Sequence, residues 1–446
     1  MPPMSKVTTQ QFDPAKSAPP EVELLEWYFD RLWPLPRSLT GAGVRRTHEI
    51  LGELLPLQQI EIPSGTSVFD WTVPQEWVVR GAYVVAPDGR RLLDFADHNL
   101  HLVSYSVPFR GRLNRAELDA HLHSRPDLPS AIPYVTSYYA PNWGFCLSHE
   151  ERQSLPEGEY DVVVDTDLIN GSMTLSECVL QGETEHEVLI SANTCHPSLA
   201  SNELSGPLVA AFLYRRLAAL PSRRLTYRFV FLPETIGAIA FLHSRGEHLR
   251  KHLVAGYVLT CLGDAGQFTY KRSRHGNSLA DRAALHVLGR LDGDTEIIDF
   301  FPQGCDERQY CSPGFDLPVG CLTHTMYWCY PEYHTSLDNK DFISFPTMVQ
   351  TIDVCLEMCR TLESDCYYRC LVPLGEPQLG KRGLYPSIGG ANEKQARLRA
   401  QAWLLNLSDG RHSLLDIAER SGEAMPALAE AAEVCVAAGL LEKVCS

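Results

Sequence analysis

Residues 187–206 read EVLISANTCHPSLASNELSG and join three kinds of local sequence. Glu187–Ala192 is a largely apolar run of the length expected for a buried strand, and Leu204–Leu220 has the pattern of a helix. His196 lies in the polar loop between them. Because functional groups collect at the carboxyl ends of parallel strands, this order predicts a site at one edge of a parallel sheet.

The alternation of strands and helices continues on both sides of this segment. Tyr160–Val164, Thr226–Leu232 and Val254–Leu259 are predicted strands, and Glu21–Trp33 and Gly43–Leu55 are predicted helices. We therefore predict an α/β fold with a mostly parallel sheet and helices on both faces.

Changes in local composition and in strand and helix pattern divide the chain into predicted domains. Short strands and turns such as Pro87–Gly89 indicate a β-rich insertion, and the Gly- and Pro-rich segment 373–390 is predicted to be a linker before a helical module. The predicted divisions are 20–63 for the N-terminal part of the main domain, 64–150 for the inserted domain, 151–372 for the main α/β domain and 391–446 for a winged-helix-like module.

The composition argues against several classes of protein. The 446 residues are 44% hydrophobic and 21% charged, and their net charge of -16 argues against a general nucleic-acid or anionic-membrane binder. The N-terminus does not have the pattern of a signal peptide, and the 14 cysteines include no Cys-x-x-Cys pair. We expect a cytoplasmic protein with reduced thiols and no membrane partner, and we keep a homo-oligomer as an option.

Three residues fit a hydrolytic metal site. His196 and Glu234 each follow a predicted strand, and His334 lies in a polar segment. Neutral imidazoles suit zinc, and a carboxylate at a strand end can act as a general base toward water. The alternatives are an incidental loop histidine, an acid favoured by a helix N-terminus and a surface histidine.

Residues 304–310, which read GCDERQY, form a second dense polar segment. Asp306 or Glu307 could complete a metal shell or hold a substrate amine, and Arg308 could bind a substrate carboxylate. A solvated loop is equally consistent with these residue types. No Gly-x-Ser-x-Gly elbow and no phosphate-binding loop occur, which argues against a serine hydrolase and an NTPase.

Seven short phrases spread over the chain carry a family resemblance. They are Asn99–His101, Ile132–Tyr134, Trp143–Cys146, Cys195–Ser198, Pro233–Gly237, Asp306–Tyr310 and Tyr333–Ser336. Together they resemble a bacterial aminopeptidase-like family with an inserted domain and a C-terminal winged helix. That family is related to the zinc aminopeptidases with a phosphorylase/hydrolase-like α/β fold.

The resemblance implies roles for individual residues. In the wider aminopeptidases a His, a bridging Asp, a Glu-Glu pair, a further Asp and a final His hold two zinc ions. His196 matches the first His, Glu234 the catalytic Glu and His334 the final His. The three remaining acidic positions depart from the pattern and fall at Asn202, Thr235 and near Thr260.

Loss of these acids should weaken binding of a second divalent ion. We therefore predict one zinc held by His196, His334 and an acid, with Glu203 and Asp306 as the candidates, and Glu234 as the base. The predicted substrate-binding residues are Asn202, Glu307, Arg308 and Tyr333.

The predicted function is zinc-dependent, aminopeptidase-like hydrolysis of a peptide or amide bond in a small substrate. The alternative is a non-hydrolytic binding or regulatory protein that reuses the fold, which the missing acids favour. DNA binding through the winged helix is a third hypothesis. The acids Asp409, Asp416, Glu419, Glu423, Glu430 and Glu433 of that module argue against a nucleic-acid partner.

Overall fold

The structure is a computed structural model that describes residues 20–138, 140–384 and 392–444. Its α-helices are α1 (Glu21–Leu32), α2 (Ala42–Leu51), α3 (Arg115–Asp119), α4 (His149–Ser154), α5 (Ser205–Ala218), α6 (Ile236–His252), α7 (Leu279–Leu288), α8 (Glu307–Tyr310), α9 (Phe345–Ser364), α10 (Asn392–Leu407), α11 (Leu414–Ser421) and α12 (Met425–Ala437).

The strands, in chain order, are β1 (Gln58–Pro63), β2 (Ser67–Val68), β3 (Trp71–Thr72), β4 (Glu76–Val85), β5 (Arg91–Leu92), β6 (Phe109–Asn114), β7 (Leu122–His123), β8 (Phe145–Cys146), β9 (Glu159–Ile169), β10 (Ser172–Leu180), β11 (Glu187–Asn193), β12 (Thr226–Leu232), β13 (Leu253–Leu259), β14 (Phe268–Lys271), β15 (Thr295–Ile298), β16 (Val319–Thr323), β17 (Tyr367–Cys370), β18 (Asp409–Ser413) and β19 (Leu441–Val444).

An eight-stranded sheet forms the centre of the molecule, in the order β1-β10-β12-β11-β13-β16-β14-β15. The four central strands β12, β11, β13 and β16 are parallel, whereas β10 pairs antiparallel with both β1 and β12. Side chains along β11 alternate between two cores. Val188 and Ile190 pack with α1, α5 and α9, whereas Leu189 packs with α6. The predicted α/β fold with helices on both faces is confirmed.

Close packing brings α5 against the carboxyl end of β13. A Cβ atom at Gly206 would lie 2.2 Å from the carbonyl oxygen of Leu259, so only glycine permits this approach. The loop that precedes α5 is therefore held at the carboxyl edge of the sheet, directly above the ends of β11 and β13.

A second, antiparallel sheet has the order β5-β4-β9-β6. It includes β9, which pairs with β4 and β6. The sequence had placed Tyr160–Val164 in the main domain and ended the insertion at residue 150. The structure corrects this assignment, because the small sheet continues to Ile169. An apolar run predicts a strand but does not name its pairing partner.

The C-terminal module contains the sheet β18-β17-β19 and the helices α10, α11 and α12 around one core. Its strand β17 precedes the predicted linker, so the module begins earlier than the predicted residue 391. Residues 385–391, which hold the end of that linker, lie outside the described residues. Arg290, which follows α7, donates to the carbonyl oxygens of Gly422 and Glu423 at 3.0 and 2.8 Å, which docks the module on the main domain.

The helices and cysteines of the described ranges bear on two of the expectations drawn from composition. None of the helices in these ranges combines the length and apolar character needed to cross a membrane. The cysteines described there carry free thiols, and most of them are buried.

His48 of α2 is buried beneath the carboxyl end of β11. Its ring nitrogens lie 2.8 Å from the Ser176 hydroxyl and 2.9 Å from the Thr194 hydroxyl. Burial lowers the pKa of His48 to about 3. The imidazole is therefore neutral at physiological pH, and it joins α2 to the loop that follows β11.

This buried imidazole predicts an acid-sensitive fold. Because the folded-state pKa of His48 lies below its ordinary value of 6.5, its contribution is complete above that pH and is lost as the pH falls toward 3. Between about pH 7 and about pH 5, the free energy of unfolding should fall by about 2 kcal/mol more in the wild type than in His48→Gln. Denaturant titrations of both proteins at the two pH values measure this difference. Equal losses would contradict the prediction.

Candidate active site

His196 follows β11 and is held by hydrogen bonds from two directions. Its carbonyl oxygen accepts a hydrogen bond of 2.8 Å from Nε of the buried Arg37. Its backbone N–H donates to Glu203 Oε1 at 2.8 Å, and its Nδ1 lies 2.9 Å from Glu203 Oε2. The remaining ring nitrogen, Nε2, lies 3.7 Å from Glu234 Oε2. The imidazole therefore presents Nε2 to the cavity.

Glu203 lies on one π-helical turn, Ala200–Leu204, directly before α5. Asp338 supports this turn, because its carboxylate accepts the N–H groups of Ser201 and Asn202 at 2.6 and 2.9 Å. Both Glu203 oxygens are already bonded to His196. The role of Glu203 as a metal ligand stays a prediction, and this geometry favours a supporting role, since a carboxylate on the far ring nitrogen orients a metal-binding histidine.

Cys195, His196 and Glu203 form a compact group in which the potential ligand atoms lie within 4.8 Å of one another. Cys195 is less suited to a metal than this distance suggests. Burial raises the pKa of its thiol to about 11, and the sulfur already accepts the Glu234 N–H at 3.2 Å. A metal ligand would have to be a thiolate, so Cys195 is better described as a buried thiol that positions the start of the Glu234 loop.

Glu234 follows β12, at the same edge of the sheet as His196. Burial raises the pKa of its carboxyl group, and the opposing charges of His196 and Arg308 limit the shift. The next residue, Thr235, has a left-handed backbone with φ of 65°, and its N–H donates to Asp306 Oδ1 at 2.7 Å. A carboxylate with a raised pKa beside a cavity is suited to act as a general base.

His334 is held by the inserted domain. Its carbonyl oxygen accepts the Tyr134 N–H at 2.8 Å, and Pro133 forms a β-bridge with Thr335. The ring stacks on Tyr333 at 4.0 Å between centroids. Burial, together with His196, lowers the pKa of His334 well below its ordinary value, and its buried Nε2 has no hydrogen-bond partner among the described residues. The ring is therefore neutral with a free ligand atom.

Two cavities adjoin these residues, and Glu234 and His334 line both. The smaller has a volume of about 210 Å³ and is also lined by His196 and Tyr134. The larger has a volume of about 470 Å³. It is lined by three of the predicted substrate-binding residues, Asn202, Arg308 and Tyr333. The reactive groups thus lie on a wall between two compartments.

The donor set on this wall fits one zinc ion. His196 Nε2 faces Glu234, His334 Nε2 is buried without a partner, and the centroids of the two imidazoles are 5.1 Å apart. The two imidazoles can bind zinc once the metal displaces the proton from the His196 ring, and they leave positions open for water beside the Glu234 carboxylate. An unpartnered buried ring nitrogen between two cavities is also costly unless something binds it.

Asp306 and Glu307 line neither of the two cavities, contrary to the placement predicted for them. Asp306 lines neither cavity, and burial and the Glu234 charge raise its pKa well above the ordinary value. Its Oδ1 accepts the Thr235 N–H, and its buried Oδ2 has no hydrogen-bond partner among the described residues. Glu307 pairs with Lys271 Nζ at 2.6 Å, and both side chains have zero exposure. Glu307 lies on α8 and Asp306 directly before it, and both carboxylates are buried in the protein interior.

The structure adds residues that the sequence did not single out as site residues. Tyr134 lies 5.0 Å from His196 and 5.2 Å from His334 between ring centroids. It belongs to the quoted phrase Ile132–Tyr134, which was the available signal. Arg37, which bonds to His196, and Trp328, which lines the larger cavity, had no comparable signal. An arginine or tryptophan in a loop can have many different roles.

Comparison with known proteins places the chain among relatives of unassigned function. Residues 27–365 match the model of a family described as a domain of unknown function, DUF4910, and residues 366–443 match a winged helix-turn-helix model. A protein of Clostridium acetobutylicum is 42% identical over 415 residues, which cover 93% of this chain and 95% of that protein. It is provisionally named a polysaccharide biosynthesis protein with an aminopeptidase-like domain.

Solved structures show the same architecture. A crystal structure from Clostridium acetobutylicum, provisionally described as a peptidase, has a TM-score of 0.89 at 39% identity and covers 95% of this chain and 97% of that one. A zinc aminopeptidase of Bacillus subtilis has a TM-score of 0.54 at 14% identity, with coverage of 75% and 93%. A peptidase M28 precursor of Shewanella amazonensis has a TM-score of 0.51 at 11% identity, with coverage of 76% and 91%. The last two show a shared fold.

The role assigned to Glu203 predicts the effect of a single substitution. Glu203→Gln should weaken zinc binding by roughly 10- to 100-fold, because the amide orients the His196 ring less strongly than a carboxylate does. Titration with zinc against a fluorescent chelator measures the change. Glu187→Gln is the matched control, since Glu187 also accepts from an imidazole, that of His248 at 2.8 Å, away from the cavities. Equal zinc affinity in the Glu203 variant and the wild type would contradict the assignment.

The buried Lys271–Glu307 pair predicts a stability effect. Lys271→Met should lower the free energy of unfolding by about 3–5 kcal/mol, because it leaves the Glu307 carboxylate buried without its partner. The double variant Lys271→Met/Glu307→Leu should recover most of this loss. Denaturant unfolding of the wild type and the variants tests both statements. A single variant as stable as the wild type would show that Glu307 is not a buried charge.

Proposed function

Because the chain belongs to the DUF4910 family and shares its fold with zinc aminopeptidases, we propose that it is a zinc-dependent hydrolase of a peptide or amide bond. One observation carries the proposal. The Nε2 atoms of His196 and His334 and the carboxylate of Glu234 meet on the wall between two cavities. A substrate that spans both cavities would present its scissile bond to these groups.

Each side chain of the site has a separate role in the proposed reaction. A zinc ion held by His196 and His334 would lower the pKa of a water molecule and polarise the scissile carbonyl. Glu234 takes a proton from the attacking water and then delivers it to the leaving nitrogen. Glu203 and Tyr333 hold the two imidazoles, the first by hydrogen bonds and the second by stacking. Arg308 lines the larger cavity and can donate to a substrate oxygen.

The Glu234→Gln variant tests the general base independently of zinc binding. We expect turnover of peptide and amide substrates to fall by roughly 10²- to 10⁴-fold, because the amide cannot accept the proton. Zinc content should stay at about one per chain, whereas His334→Ala should lose the metal. Elemental analysis of the purified proteins and a substrate panel provide the two measurements.

Glu332→Gln is the matched control for this experiment, because Glu332 lies in the same loop as His334 but lines neither cavity. It should keep both zinc and turnover. An active Glu234→Gln variant would remove Glu234 as the base. A wild-type protein that takes up no zinc even when the ion is supplied would overturn the hydrolase proposal.

A second function is supported by the residues that replace acidic ligands. Asn202 and Thr260 line the larger cavity, and Thr235 the smaller, where the resemblance expects carboxylates. A non-hydrolytic binding or regulatory protein could use the same cavities without turnover. The provisional name of the Clostridium acetobutylicum relative, which refers to polysaccharide biosynthesis, is compatible with either function. Full zinc occupancy without turnover on any substrate would favour this alternative.

A further inference from the structure

The two cavities beside Glu234 and His334 differ in chemistry. The smaller one, of about 210 Å³, includes the aliphatic side chains of Leu39 and Ile236 in its lining. The larger one, of about 470 Å³, has no aliphatic side chain among the described residues that line it. The substrate groups on the two sides of the scissile bond would therefore occupy cavities of different chemistry.

The larger cavity combines hydrogen-bonding groups with aromatic rings. The side-chain amides of Asn193, Asn202 and Gln303 and the guanidinium of Arg308 line it. The amides both donate and accept hydrogen bonds and the guanidinium donates them, so the set suits hydroxyl and carbonyl groups. A hydrocarbon side chain would leave them unpaired, which is unfavourable in a cavity. The occupant must therefore be polar over most of its surface.

Three aromatic rings also line the larger cavity, those of Tyr327, Trp328 and Tyr333. Trp328 is the most exposed of them, with 58% of its surface accessible, and its backbone has a left-handed φ of 68°. A bulky residue adopts this conformation only where the surrounding structure imposes it, and such positions concentrate at functional sites. The indole is thus presented to the cavity rather than packed in the core.

The support beneath Trp328 is rigid. Its ring packs edge-on against Tyr327 at 4.9 Å, and the Tyr327 hydroxyl accepts a hydrogen bond of 3.1 Å from Lys271. A Cβ atom at Gly304 would lie 1.9 Å from that hydroxyl, so glycine is required for Tyr327 to take this position. The aromatic wall, formed by the rings of Tyr327, Trp328 and Tyr333, is therefore in place before a ligand binds, which lowers the entropic cost of binding.

The aromatic wall also continues outward. Trp328 and Tyr333 line a neighbouring open groove of about 610 Å³, which contains Arg125 and Tyr330 as well. A ligand that fills the larger cavity can extend past Trp328 into this groove. The site thus accommodates an extended polar molecule on one side of the bond and a small group on the other.

We propose that the substrate is an N-acylated amino sugar, with its acyl group in the smaller cavity and its sugar ring against Trp328. A sugar ring has hydroxyl groups around its edge for the amides and a flat C–H face for the indole. This inference rests on the proposed function, because it names the substrate of the same site. The groove beyond Trp328 would hold further sugar units of an oligosaccharide.

The reaction is the hydrolysis of the amide bond. Water adds to the acyl carbon, the carbon–nitrogen bond breaks, and the electron pair of that bond stays on nitrogen. Glu234 transfers the proton taken from water to this nitrogen. The products are a short-chain carboxylate and an amino sugar, and no oxidant or further reactant is needed.

Binding to an inactive protein tests the substrate class separately from turnover. Calorimetric titration of zinc-loaded Glu234→Gln with N-acetylglucosamine and with its β-1,4-linked dimer should show binding, and the dimer should bind more tightly. Adding Trp328→Ala to this variant should weaken binding by roughly five- to tenfold, the effect of losing one ring contact. Wild-type enzyme should release acetate from the same sugars.

Phe69→Ala is the matched control for the loss of an exposed ring. Phe69 is 57% exposed and lies on the turn between β2 and β3, where it contacts Phe315 and His243 rather than either cavity. It should leave sugar affinity unchanged. Alanyl and leucyl peptide amides form the comparison set of ligands, and thermal unfolding of each variant checks that the fold is intact.

The outcomes separate the two proposals. Peptide amides that bind and are hydrolysed while the sugars do neither would overturn the sugar assignment and leave the hydrolase proposal standing. Sugars that bind through Trp328 but release no acetate from wild-type protein would support the ligand class and overturn the hydrolase proposal. Sugar binding that is equal in the Trp328 and Phe69 variants would remove Trp328 as the platform.

Discussion

The hydrogen-bonded pair of His196 and Glu203 is the interaction on which the candidate site depends. It joins the end of β11 to the π-helical turn before α5, and Asp338 holds that turn from the far side of the site. Arg37 fixes the carbonyl oxygen of the same histidine. His196 is therefore positioned by groups from three separate parts of the chain. A metal ligand held in this way needs little reorganisation when it binds, and small changes in its supports alter its affinity.

The inserted domain is part of the site rather than an addition to it. His334 does not lie on a strand of the central sheet, and its loop obtains its backbone partners from the segment around Tyr134. The ring of Tyr134 lies within about 5 Å of both imidazoles, so the insertion also covers the smaller cavity. The insertion thus bounds that cavity and holds the His334 loop, while the ends of β11 and β12 position His196 and Glu234.

The sequence predicted the features that depend on local pattern. Buried strands are apolar over their whole length, so β11, β12 and β13 could be identified, and His196 and Glu234 could be placed at their carboxyl ends. Features that depend on partners far away in the sequence could not be predicted from local pattern. Glu307 has the residue type of a ligand, but Lys271, 36 residues earlier in the chain, pairs with it in the interior. The pairing of β9 with the small sheet has the same origin, since no local pattern names a strand's neighbour.

The charges around Glu234 favour one metal ion over two in the proposed site. Neutral side chains occupy positions 202, 235 and 260, and the Arg308 guanidinium donates to the Thr235 hydroxyl at 2.7 Å. A second divalent ion there would lack carboxylate ligands and would meet a like charge. The same guanidinium favours the ionised form of Glu234, whose pKa burial alone would raise further. In the proposed hydrolase, a positive charge near the scissile bond thus comes from the chain itself, and the proposed single metal site depends on the two histidines.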